Sequence, residues 1–268
     1  MRQFLIILVW VNYALISCSQ NRGPGYRFDL FKQTPNWQLA KAVENENESQ
    51  ILKILKNDKV DINLQEPRYG ETLLKLAVGN DKLISTRILL QNGANQNIID
   101  TFKNAPIHEV TSNIKLNNNA YEILKLLLDF GGNPNFVAEK IKGHDTIYFY
   151  VPLMGAVNDL EGTKLLLKHG ADLYVKHNKS FVVWQNLLTQ DVNFFDNIEV
   201  ANFLIVDKKM AIPSPIFYSQ PKKEPIGALE LLKKFRVYEN KEKQKTKDNL
   251  LEYLNKIQFP TNGVYEKW

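Results

Sequence analysis

The sequence predicts an all-α fold, a helical solenoid of about five to six short helix pairs joined by short hairpin fingers. Three observations lead there. From about residue 35, apolar residues recur at helical spacing in short runs that come two by two. A glycine closes the second run of a pair at Gly93, Gly131 and Gly170, 38 and 39 residues apart. The stretch from a closing glycine to the next helix start is also regular, 12 residues from Gly93 to Ala105 and 12 from Gly170 to Val182. Self-similarity at such a period is the signature of stacked repeats.

Composition agrees with a folded chain. Hydrophobic residues make up 44% of the 268 and charged residues 24%, ordinary globular usage that excludes wholesale disorder. The formal charge of +5 comes from lysines interleaved with acids. A nucleic-acid binder gathers its basic charge on one face or stripe, so no nucleic-acid partner is expected. The single cysteine, Cys18, rules out a disulfide within the chain.

In chain order, residues 1–17 read as a signal peptide. Met1-Arg2 supplies a minimal positive start, and Phe4 to Val11 is an apolar run too short to span a bilayer. The polar stretch Ser19 to Gly25 follows at once. Leu15-Ile16-Ser17-Cys18 closely resembles the bacterial lipobox. That resemblance implies cleavage before Cys18, acylation there, and an anchor held by more than one acyl chain. An ordinary signal peptide or an uncleaved anchor are the alternatives. Ser19, with no acidic run after it, implies a bacterial envelope lipoprotein facing the periplasm from the outer membrane. Residues 18–34 are then the lipidated cysteine and a tether, with Gly and Pro keeping it irregular.

The repeat region is expected over 35–258, with 259–268 as a C-terminal tail. Trp37 to Val43 and Ile51 to Leu55 look like a first helix pair. Helix starts recur as Thr72-Leu73-Leu74-Lys75-Leu76-Ala77, Ala105-Pro106-Ile107-His108-Glu109-Val110, Val151-Pro152-Leu153-Met154-Gly155-Ala156 and, weakly, Val182-Val183-Trp184-Gln185-Asn186-Leu187. Proline suits the first helical position, where its missing N–H has no partner to lose. Second helices end as Leu89-Leu90 before Gly93, Leu127-Leu128 before Gly131 and Leu166-Leu167 before Gly170. Tyr121, Leu124, Leu127 and Leu128 mark the apolar face of one of them. The closing glycine takes the left-handed conformation that ends the helix. Extra residues fall in Asn113 to Asn119 and in the stretch from Gly131 to Val151. A proline-broken connection around Ile212 to Pro225 precedes a last pair, Ile226 to Leu232 and Leu250 to Leu254.

These opening and closing motifs resemble the ankyrin repeat, whose units open Thr-Pro-Leu-His-x-Ala and close Gly-Ala-Asp-x-Asn. The resemblance covers roughly residues 35–235. Two closing glycines are absent, at Lys59 and near Lys208-Lys209, and only one opening motif keeps both proline and histidine. The resemblance implies a scaffold that binds a protein partner through its first helices and fingers. Those fingers are roughly 64–71, 98–104, 136–150 and 174–181. They carry Arg68, Tyr69, Phe102, Lys103, Tyr148, Phe149, Lys176 and His177 as expected partner-binding residues. Arg and aromatic side chains are what binding hot spots favour. The long finger ends in three aromatics, and Tyr148 and Tyr150 alternating inward as core is an equal reading there.

Chemistry is otherwise sparse. His108 holds the motif position where the family uses histidine to brace a turn, and His169 sits before a helix-ending glycine. His144 beside Asp145 has no third ligand at metal-like spacing. No phosphate loop or nucleophile elbow is present. No catalytic residue, cofactor or metal is therefore expected. The expected function is a membrane-tethered, non-catalytic binding protein. The alternatives are an immunity protein that neutralises a secreted antibacterial toxin and, behind it, an enzyme with a site built from scattered residues.

Overall fold

The computed structural model describes residues 26–56, 60–142, 145–189, 197–213, 217–218, 225–226 and 241–256. The expected signal peptide, Cys18, His144 and the C-terminal tail lie outside them. The chain divides into two compact units, residues 1–102 and 103–268.

The first unit holds two helix pairs, α1 (Trp37–Glu44) with α2 (Glu48–Leu55) and α3 (Leu73–Gly79) with α4 (Leu83–Gln91). First helix packs on first helix, and second on second. The core between them is Leu39, Val43, Ile51, Leu73, Leu76 and Leu89, all essentially inaccessible. Caps set the helix starts: Asn47 accepts from Gln50 N–H and Thr72 from Lys75 N–H, each at 3.1 Å. Such a cap satisfies one of the four otherwise orphaned N–H groups of a helix start. Part of the segment expected to be a tether is ordered here. Phe28–Phe31 form a 3-10 turn on α1, with both phenylalanines buried. Their spacing of three puts both rings on one side of that turn, so they cover the apolar end of the first pair.

The second unit continues with α5 (Pro106–Ser112) and α6 (Ala120–Asp129), then α7 (Pro152–Ala156) and α8 (Leu160–Lys168), then α9 (Val182–Thr189) and α10 (Asn197–Asn202). A π turn, Phe203–Asp207, extends α10, and α11 (Lys241–Lys256) packs on both. Pro106 and Pro152 stand in the first turn of α5 and α7. On α6 the buried face is Ala120, Ile123, Leu124, Leu127 and Leu128, the i, i+3, i+4, i+7, i+8 stripe. Tyr121, expected on that face, is 38% exposed, because one residue after Ala120 it is turned roughly 100° away. The extra residues after α5 are not idle: Ile114 is buried, and its Cδ1 occupies the space that a side chain on Gly162 of α8 would need.

Closing glycines Gly93, Gly131 and Gly170 have φ of +89°, +88° and +87°. Where the glycine near residue 208 is missing, Lys209 takes the left-handed conformation itself at φ +50°. Turns of neighbouring repeats are stitched by asparagine. Asn63 Oδ1 accepts from Asn95 N–H at 2.7 Å, and Asn135 Oδ1 accepts from Asp172 N–H at 2.7 Å. Asn135 Nδ2 also donates to Gly170 O at 2.8 Å.

Of the expected fingers, 136–150 and 174–181 contain β ladders. Strands β1 (Ala138–Lys142) and β2 (Asp145–Tyr150) are antiparallel with a register shift between Lys140 and Ile141. Strands β3 (Lys176–His177) and β4 (Ser180–Phe181) close a tight hairpin. A third small ladder, β5 (Phe217–Tyr218) with β6 (Pro225–Ile226), lies in the proline-broken connection. It takes Ile226 out of the helix expected to begin there.

Candidate protein-binding fingers

The first finger of unit one is built around a buried carboxylate. Glu66 is 1% exposed and accepts from the N–H groups of Arg68, Tyr69 and Glu71 at 2.8, 2.6 and 3.1 Å. Three N–H donors converging on one anion make a strong local brace, since hydrogen bonds to charged groups outweigh neutral ones. The next finger is tied to the first: Thr101 N–H donates to Tyr69 O at 2.8 Å, and Gln65 Nε2 to Ile99 O at 2.8 Å. That framework holds Arg68 and Tyr69 together, the guanidinium 5.1 Å from the ring centroid. Phe102 is 48% exposed, its N–H held by Asp100 Oδ1 at 2.7 Å.

Beneath these fingers lies an ion cluster. Lys75 Nζ, on α3, contacts Glu71 at 2.8 Å and Asp100 at 2.8 Å, all three side chains buried. Burial alone would push the Lys75 ammonium down. The Glu71 and Asp100 carboxylates outweigh burial through charge and hydrogen bonds, and hold it above its ordinary value. Lys75 stands at the histidine position of the opening motif. In the next repeat that position is His108, whose Nδ1 accepts from Ala105 N–H at 3.0 Å and whose Nε2 donates to Phe136 O at 2.8 Å. Both residues thus tie a first helix to the finger that follows it. His108 does so as a neutral ring, its proton placed on Nε2 by the two partners.

In unit two, Lys103 is exposed in a left-handed turn at φ +68°. The long hairpin divides its aromatics between two faces. Tyr150 points inward, its ring 5.8 Å from that of His108 and its hydroxyl filling the space that a side chain on Gly155 would need. Phe149, one residue earlier, faces the other way and stacks on His177 of the next finger, centroids 4.3 Å apart and planes 26° from parallel. Asn178 Nδ2 donates to His177 Nε2 at 2.8 Å. Lys176 is exposed, with its ammonium 4.5 Å from the Phe181 ring centroid. Tyr148 pairs with Lys140 in the ladder, and its side chain lies outside the described residues.

The structure therefore brings together Phe149 and His177, and separately Arg68 with Tyr69, while Lys176 lies over Phe181. Phe102 and Lys103 are neighbours in sequence that fall in different units. Sequence reading missed the Lys75 cluster. Its signal was a lysine in place of the motif histidine, which needs an acid nearby to be buried at all. A stacked aromatic pair offers a flat apolar face, suited to a partner surface with exposed apolar groups.

Residues 39–138 match the family model of ankyrin repeats in three copies. Two ankyrin repeat proteins of Fowlpox virus (strain NVSL) are similar, FPV014 at 32% identity over 137 residues and FPV031 at 35% over 89. These matches cover 50% and 33% of this chain, and 28% and 25% of those relatives, so the chain spans only about a quarter of their length. Among solved structures, an ankyrin repeat domain from Acinetobacter baumannii AYE aligns with TM-score 0.60 at 16% identity, over 81% of this chain and 97% of that one. EF0377, an ankyrin repeat protein, aligns with TM-score 0.56 at 16% identity, over 81% and 96%. Residues 39–138 thus carry ankyrin repeats, generally non-catalytic protein-interaction modules, and the chain has the ankyrin-repeat fold.

Proposed function

We propose that this protein is a lipid-anchored binding module of the bacterial cell envelope, held at the membrane through Cys18 and docking a protein partner on its fingers. One observation carries the docking reading: the Phe149–His177 stack, which joins two successive fingers of unit two into one aromatic surface. Preformed aromatic faces cost little conformational entropy on binding. The lipobox-like Leu15-Ile16-Ser17-Cys18 supports the anchor, and Ser19 supports a periplasm-facing position at the outer membrane. A partner that is an antibacterial toxin is the sharper form, favoured by a leader joined to a scaffold with no catalytic motif. A deletion strain that survives toxin-bearing siblings unharmed would remove that form.

The docking test is affinity capture on the chain beginning at Ser19, run in parallel with Phe149→Ala and His177→Ala. The expected result is a partner recovered by the parent and lost by both variants. Equal recovery from all three removes the finger face. The anchor is tested separately by metabolic labelling with a radioactive fatty acid, with label expected on the parent and absent from Cys18→Ser.

A further inference from the structure

The π turn after α10 shapes a second surface of unit two. Lys208 N–H reaches back five residues to Phe203 O at 2.9 Å, and Met210 N–H bonds to Leu204 O at 2.9 Å. Such turns are rare in helices and are frequently found at functional positions. This one brings Phe203 and Lys208 to the edge of a cleft of about 720 Å³, bounded on its other side by α8 and the loop that follows. That volume is in the range of roughly 300–1,000 Å³ usual for ligand clefts. Its floor is apolar, with Leu167, Leu173 and Met210. Its rim is basic, with Lys164, Lys168 and Lys208, against a single lining acid, Asp172. The Lys164 and Lys208 ammonium groups lie 5.3 and 5.5 Å from the Phe203 ring centroid. Lys164 also meets Glu161 at 2.8 Å. Lys168 and Lys208 are exposed, and neither makes an ion pair among the described residues.

We infer that this cleft is a second docking site, which takes an acidic peptide segment carrying a large apolar side chain. The apolar side chain covers Leu167, Leu173 and the Phe203 ring, and carboxylates beside it meet Lys168 and Lys208. Charge complementarity selects the acidic character. Lys168 and Lys208 stand exposed on the rim without an ion pair among the described residues, and the carboxylates of an acidic segment supply one. The apolar floor selects a peptide over a simple anion, which would leave it uncovered. Tyr174, at the start of the last finger, also lines the cleft, but Phe149, Lys176 and His177 do not, so the site stands or falls independently of that aromatic stack.

The test is selection of short random peptides on the immobilised full chain, followed by fluorescence anisotropy of the enriched peptides. Enriched sequences are expected to combine Asp or Glu with Phe, Trp, Leu or Met. Their affinity should fall roughly ten-fold or more in Lys168→Glu/Lys208→Glu and in Phe203→Ala, and hold in Phe149→Ala. The two lysines are exposed, so the double variant reports on binding even if Phe203→Ala folds poorly. No enrichment, an enriched pool without acidic bias, affinity unchanged in the lysine variant, or affinity lost in Phe149→Ala would each overturn the assignment.

Discussion

Lys75 and Asp100 form a 2.8 Å ion pair that joins α3 to the finger 25 residues further on, with both side chains almost wholly buried. Glu71 shares the same ammonium. Removing the cation leaves two carboxylates facing each other out of water. Lys75→Met is therefore expected to destabilise the fold by about 3–5 kcal/mol, the range for breaking a buried pair on one side. Urea denaturation of the two proteins checks it, and a loss below about 1 kcal/mol would show that the cluster is solvated.

The same lysine gives a pH dependence with a definite sign. Its folded value lies above the ordinary 10.5, so its contribution is complete below 10.5 and is lost as pH rises through the folded value. Denaturation midpoints of the parent should fall on the alkaline side, and the fall should be smaller in Lys75→Met. Parallel alkaline curves for the two would contradict the linkage.

His108 braces the next repeat through neutral hydrogen bonds, to Ala105 N–H and Phe136 O. His108→Ala leaves that buried N–H without its acceptor, at an expected cost of about 1–3 kcal/mol. Faster hydrogen exchange at the Ala105 amide is the local sign, and unchanged exchange there would point to a different partner for the amide.

Gly155 has no room for a methyl group. The Tyr150 hydroxyl stands in that space, and the Thr111 carbonyl carbon and oxygen lie 2.9 Å from where the carbon would be. Gly155→Ala should cost about 1–3 kcal/mol by overpacking. Adding Tyr150→Phe removes one of the clashing atoms and should recover part of the loss. A double variant no more stable than Gly155→Ala would place the strain at Thr111 alone.

Asn135 bonds both Asp172 N–H and Gly170 O in the next turn. Both bonds are exposed, so Asn135→Ala should cost about 0.5–1.5 kcal/mol and speed exchange at the Asp172 amide. Protection of that amide left intact would rule the asparagine out as the link between these turns.

The fold was legible in the sequence because repeats state their own geometry locally. Pro106 and Pro152 opened helices, Gly93, Gly131 and Gly170 closed them in the left-handed conformation, and His108 braced a turn through Ala105 N–H, each within a few residues in sequence. Alternation along the long hairpin placed Tyr150 and Phe149 on opposite faces, while which face looked inward depended on the space left by Gly155. What tertiary structure alone decided was pairing between elements far apart in sequence. Lys75 meets Asp100, Phe149 meets His177, and Lys164 and Lys208 gather on Phe203, although no local pattern marks these partners. Periodicity tells which side of a helix is buried. Only the stacking distance and the length of each loop tell which side chain waits on the other side.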